Sequence, residues 1–324
     1  MSAKGSSESS TKGLPSAVNS AEPPAPVVEH VPLLAVIVHD KWGFMNLDGK
    51  MLIEPKFIAV FPFSEGLAAV KDNQGMWGYI NKDGTYAVKP QFTAATPFSE
   101  GMAVVKQDGK FGAIDHTGKF FIKPTFAAMS EFFGGYAAVL ATQDTMGGMA
   151  SGWGFVDKHG AWVIEPKYPA VTVFGDGLVG VRRLGQLFGY IDVKGNQVIP
   201  PKYMEAGPFA EGLAPVNIAD EHGVAHWGYI DTTGKVVIPG QFQRATAFAN
   251  GLAMVHDDKG KAGFINKEGK YVVPPELDGA SHFVDGYALV RMKGVDTYID
   301  KTGKVVTSVN KSTAPDQAKP KAKG

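Results

Sequence analysis

Short apolar runs, each broken off by Gly, Pro, Asn or Asp, recur along the whole middle of the chain and predict strands there. Residues 66–100 show the pieces. Leu67-Ala68-Ala69-Val70-Lys71 is an apolar strand, 72–76 a turn, and Trp77-Gly78-Tyr79-Ile80-Asn81 a second strand rich in aromatic and β-branched residues. Asn81-Lys82-Asp83-Gly84 reverses the chain, and Tyr86-Ala87-Val88-Lys89 is a third strand that Pro90 is expected to stop. The unit reads as a three-stranded antiparallel meander.

Its second strand and turn form a motif, aromatic-Gly-aromatic-aliphatic-(Asp/Asn)-x-x-Gly. Copies stand at 42–49, 77–84, 111–118, 153–160, 188–195, 227–234, 262–269 and, worn down, 296–303. The leading pairs are Trp42-Gly43, Trp77-Gly78, Phe111-Gly112, Trp153-Gly154, Phe188-Gly189, Trp227-Gly228 and Ala262-Gly263; the eighth copy has Asp296-Thr297. Steps between successive glycines cluster near 35 residues, with longer steps of 42 and 39 where insertions fall. A fixed period of this length marks a repeat architecture.

Every copy opens its turn with Asp or Asn and closes it with Gly three residues later. An Asx side chain at the first position of a type I turn bonds its own backbone, and Gly supplies the left-handed residue that closes the hairpin. Calcium binding would need converging carboxylates, whereas the two intervening positions vary freely. Between meanders runs a connector with a ring or Leu at its start and Phe at its end: 57–63, 92–98, 126–132, 168–174, 203–209, 242–248 and 277–283. These residues are expected to plug neighbouring meanders together.

Strand side chains alternate between faces. Trp77 and Tyr79 therefore fall on one face and Gly78 and Ile80 on the other, so both faces are apolar and each meander must be sandwiched. Gly78 is expected to leave a seat for a ring of the adjoining unit. Two architectures satisfy this stacking. The favoured expectation is an all-β open β-solenoid or superhelical stack of eight three-stranded antiparallel meanders, because ordinary propeller blades have four strands. The alternative is an eight-bladed β-propeller. Either occupies 32–308, between a Ser/Pro/Gly-rich leader at 1–31 and a basic tail at 309–324, both expected to be disordered.

The multi-copy pattern W-G-(Y/F)-(I/V)-(D/N)-x-x-G, followed by an apolar pair and Pro, resembles the WG (KWG) repeat family. It stands most fully at 77–90, 153–166 and 227–239. The resemblance implies a mostly bacterial, all-β repeat protein and carries no catalytic residue with it.

Composition narrows the partners. Lys+Arg and Asp+Glu are equal at 32 each, giving no bulk attraction to nucleic acid or an anionic membrane. Cysteine is absent, which removes thiol chemistry and thiolate metal sites. The first apolar run, 31–38, is too short to span a bilayer and lies too deep for a signal peptide, so the cytoplasm is the default expectation, with the envelope still open.

No phosphate cradle, nucleophile elbow or metal-ligand spacing emerges, so neither catalysis nor a cofactor or metal is expected. Only 220–226 gathers metal-type residues, in an inserted hairpin. The insertions at 142–152 and 217–226 break the period, and insertions in repeat proteins map to loops on one face. Asp144, Met146, Met149, Asp220, His222 and His226 are accordingly the candidate binding residues. The expected function is a non-catalytic scaffold for a protein partner. A carbohydrate or cell-envelope module using exposed aromatics is the alternative, which full burial of the Trp rings would weaken.

Overall fold

The computed structural model describes residues 32–142, 151–219 and 222–308. The leader and tail predictions lie outside them. Among the described residues every regular element is a strand, and the strands form eight small antiparallel sheets in a ring. This is an eight-bladed propeller, blades 1 to 8 in chain order. The open stack is overturned, because the first and last blades touch. Tyr298 of blade 8 donates its hydroxyl to the Ala35 carbonyl of blade 1 at 2.8 Å, across 263 residues of chain. Leu34, Val36 and Met45 of blade 1 are buried in one cluster with that same tyrosine.

The three-stranded expectation also changes. Blade 2 has the order Ala59–Val60, Ala68–Lys71, Trp77–Ile80, Tyr86–Phe92, and five further blades follow the same four-strand plan. The added strand is two residues taken from the connector, too short to carry an alternating pattern. Blade 6 replaces it with a single bridge, Ala206 to Val216. In blade 1 the described strands are Leu34–Val38, Lys41–Met45 and Met51–Phe57.

The third strand does not stop at proline. Tyr86–Phe92 runs through Pro90, and the register steps from Tyr79 opposite Val88 to Trp77 opposite Phe92. Three residues therefore bulge opposite Gly78 alone. A Cβ on Gly78 would stand 2.6 Å from the Val88 carbonyl oxygen and 2.7 Å from the Pro90 nitrogen. Gly43, Gly112, Gly154, Gly189 and Gly263 meet their own third strands in the same way, and Gly228 meets the Gly240 backbone. The motif glycine thus makes room for the bulge of its own blade, where a seat for the next blade was expected.

Sandwiching is as expected. Tyr79 packs forward with Ala103, Val105 and Ile114 of blade 3, while Ile80 packs back with Phe44 and Ile53 of blade 1. The connector rings are the plugs. Phe63, Phe98, Phe174, Phe209, Phe248 and Phe283 are buried, each with its ring 4.8–5.0 Å from the motif ring of the preceding blade. Burying rings of this size supplies most of the force holding blade to blade.

Candidate functional site

The motif positions come first. Trp42, Trp77, Phe111, Trp153, Phe188 and Trp227 are half-buried, whereas Ala262 and the glycines beside them are buried. Trp77 stacks on Phe61 of the incoming connector, with centroids 5.3 Å apart and planes 29° from parallel. Cations lie near several of these rings: Lys71 at 6.0 Å from Trp77, Lys106 at 5.1 Å from Phe111 and Arg182 at 5.2 Å from Phe188.

The insertions contribute less to a described site. Asp144, Met146, Met149 and Asp220 lie outside the described residues. His222 is exposed in the turn and His226 is half-buried on Ala225–Asp231, opposite Ile218. Among the described residues no three His, Cys, Asp or Glu side chains group as metal ligands.

Sequence reasoning passed over a row of carboxylates that latch blade to blade. Glu65, Glu100, Asp176 and Glu211 sit at positive φ between 47° and 55°, in the turns that lead into first strands. Each reaches the turn of the next blade: Glu65 accepts the Gly101 N–H at 3.0 Å, and Glu100 those of Gly134 and Gly135 at 2.6 and 2.8 Å. Asp176 accepts from Gly212 at 2.6 Å and Glu211 from Gly251 at 3.1 Å. Lys158 pairs with Glu100 at 3.3 Å and Lys267 with Glu211 at 3.2 Å. Partial burial pushes the Glu211 carboxyl up, but the Gly251 N–H and the Lys267 ammonium outweigh it and hold the group below its ordinary value. The signal in the sequence was the Glu-Gly or Asp-Gly step, which reads as a turn and nothing more.

The closing seam is built differently. The hairpin of blade 1 pairs Leu34 with Met45 as that of blade 3 pairs Ala103 with Ile114, so Pro32 stands where blade 3 has Gly101. Proline has no N–H, and no backbone latch of that kind can form there. A groove of about 450 Å³ lies at this seam, lined by the apolar groups Leu34, Val60, Phe63, Tyr287, Leu289 and Tyr298 together with Trp42 and Phe61. Ser281, His282 and Asp285 stand in its lining as the polar groups. Burial pushes the Tyr298 phenol well above its ordinary value, so it stays a neutral donor to the Ala35 carbonyl. A second depression of about 450 Å³ shares Trp42 and Leu289 and adds Ile37, His39, Asp40 and the paired Arg291 and Asp296.

Seven stretches match the model of the WG containing repeat: 42–74, 77–111, 111–140, 153–185, 188–220, 227–259 and 263–295. The chain belongs to the WG-repeat family. The matches leave out the worn eighth copy of this WG-repeat protein, whose third motif position is the ring-closing Tyr298. A comparison with curated protein sequences finds no match. Among solved structures, the computationally designed Ika8 protein is similar at 13% identity and a TM-score of 0.51, over 86% of this chain and 90% of its own. BamB from Moraxella catarrhalis is similar at 10% identity and a TM-score of 0.45, over 84% and 94%. The WD40 beta propeller domain of Doa1 is similar at 10% identity and a TM-score of 0.41, over 80% and 92%. The likeness to Ika8 is one of fold.

Proposed function

We propose that this WG-repeat protein is a non-catalytic scaffold that binds a protein partner. The observation carrying the reading is the closing-seam groove, an apolar surface with the half-buried Trp42 and a few polar groups in its lining. Apolar concavity with a few placed polar groups suits a binding partner. The regular positions of the repeat are meanwhile taken up by packing: rings as plugs, glycines as room for bulges, Asp and Asn as turn openers. Among the described residues no helix is long and apolar enough to cross a membrane.

A carbohydrate module remains the second reading, because the Trp residues are half-buried rather than fully buried. Stacking on a sugar needs an open face, and Trp77 gives one face to Phe61. Affinity capture with the immobilised full chain, followed by binary titration of each captured protein and a glycan array, separates the two. A purified protein that binds saturably supports the scaffold. Saturable binding of a glycan alone supports the carbohydrate module and contradicts the scaffold.

A further inference from the structure

We propose, resting on the scaffold reading, that the closing seam takes an extended peptide segment of the protein partner. The peptide adds as a strand to Leu34–Val38 and seats one aromatic side chain against Tyr298 and a second over Trp42.

The other seams define the ligand. In blade 3 the first long strand, Ala103–Gln107, pairs on one side with Lys110–Ile114 and on the other with the connector strand Ala94–Ala95. The strand Leu34–Val38 pairs with Lys41–Met45, and that is its only strand partner among the described residues. Ile37 and Val36 stand where Lys106 and Val105 receive Ala94 and Ala95. Beyond that short strand the closing Phe has a fixed task, whereas the position of Phe61 is filled elsewhere by Thr96, Ser130, Thr172, Thr246 or Ser281, whose hydroxyl accepts a first-strand N–H, or by Gly207. Phe61 stacks on the Trp of its own blade, Trp77, and Phe63 lies 4.9 Å from the motif ring of the preceding blade, Phe44. At the closing seam the corresponding rings are Trp42 and Tyr298, and both line the groove. The one connector whose ring meets a motif Trp supplies the complement for a Trp42–Tyr298 pair, a small apolar pair followed by aromatic-Pro-aromatic, Ala59-Val60-Phe61-Pro62-Phe63.

Strand addition at a sheet edge takes its affinity from main-chain hydrogen bonds and its specificity from pockets for alternate side chains. The groove supplies both elements. Seven connectors end in Phe, from Phe63 to Phe283. At the matching register, set by the equivalence of Pro32 with Gly101, this chain's own upstream sequence has Glu29. An ionised carboxylate is costly to place among apolar groups, which argues for a segment from another molecule. The charges bordering the seam are of both signs, Arg291 paired with Asp296 and Asp285 in the lining, so salt should change the affinity little.

The test uses the full chain and a fluorescent peptide of sequence FIAVFPFS carrying a polar solubility tag, read by anisotropy. A second peptide replaces the two phenylalanines flanking the proline with Asp, and a photo-crosslinking phenylalanine analogue replaces Trp42. The expected result is saturable binding of the Phe peptide, at least tenfold weaker binding of the Asp peptide, and a cross-link from position 42 to the Phe peptide. Equal binding of both peptides, no saturable binding, displacement of the peptide by a glycan hit from the array, or a cross-link to the chain's own residues before Pro32 overturns the proposal. If the captured protein still binds in the first, second or last of these cases, the scaffold reading stands and only the seam is excluded.

Discussion

The seams between blades 2 and 3 and between blades 8 and 1 present a tyrosine at the same motif position and surround it differently. Tyr79 meets the Phe98 ring at 4.9 Å and donates its hydroxyl to the Thr96 carbonyl of the connector at 2.9 Å. Tyr298 instead donates straight to the first strand of the next blade, at Ala35. The inner seam also has the Glu65 latch to Gly101, while the closing seam has Pro32 at that place. One repeat can thus build both a filled interface and a groove. The difference comes from the connector and one N–H, with the motif itself unchanged at the ring.

The largest expected effect tests the plug. Phe98→Ala removes a ring that is 2% exposed and should cost about 3–5 kcal/mol in a urea titration. Close behind, Gly112→Val forces a Cβ to within 2.4 Å of the Ile122 carbonyl oxygen and should cost about 3 kcal/mol, near the upper end for overpacking. Gly279→Ala is its control, since a Cβ there meets nothing within 4 Å and the change should stay within about 0.5 kcal/mol. Equal losses at Gly112 and Gly279 would contradict the bulge explanation.

The hydroxyl bonds come next. Tyr79→Phe and Tyr298→Phe should each cost about 1 kcal/mol. Hydrogen exchange separates the two: the Tyr298 variant should loosen Val295–Asp300 and Leu34–Val38, and the Tyr79 variant should leave those residues protected. Uniform loosening in both variants would mean that the two seams are equivalent.

The smallest effect is a pH dependence. Hydrogen bonds from Thr117, Thr233 and Thr302 hold the carboxyls of Asp115, Asp231 and Asp300 below the ordinary 3.8. Their folded values are depressed, so the stabilisation is present above 3.8 and is lost as the pH falls below it. Burial, then the charge of Arg244, lowers the His256 imidazole from 6.5, against a smaller opposing pull from Asp257. The unfolded chain takes up that proton first, so stability declines as the pH drops through 6.5. Replacing His256 with Leu should flatten the decline between neutral pH and the carboxylate range in urea titrations. An unchanged slope would remove His256 from the account.

Much of the blade was legible in the sequence. The eight turn glycines read as left-handed closers all have φ between 77° and 86°. The alternation of Tyr79 and Ile80 between opposite seams also followed from strand geometry alone. What was not legible depended on distance or brevity. Ala59–Val60 is too short for an alternating pattern to mark it as a strand. Gly78 answers to Pro90, twelve residues on, through a bulge that no local rule announces. Glu100 looks like a turn residue until the next blade brings Gly134 and Gly135 to it. Ring closure rests on contacts between residues at opposite ends of the array, the Tyr298–Ala35 bond and the cluster of Leu34, Val36 and Met45 around that tyrosine. The candidate site was legible only in part: Trp42 was named for its place in the repeat, while the groove beside it exists only once Tyr298 arrives.

That closure is the central claim, and the absence of cysteine makes it directly measurable. Spin labels on Lys50→Cys and Lys304→Cys report the distance across the closing seam, and labels on Lys235→Cys and Lys270→Cys report an internal seam between blades 6 and 7. All four lysines are exposed and follow equivalent turns. The ring predicts closely similar distance distributions for the two pairs by double electron–electron resonance. A Lys50–Lys304 distance far beyond the Lys235–Lys270 distance would show an open array and contradict the propeller.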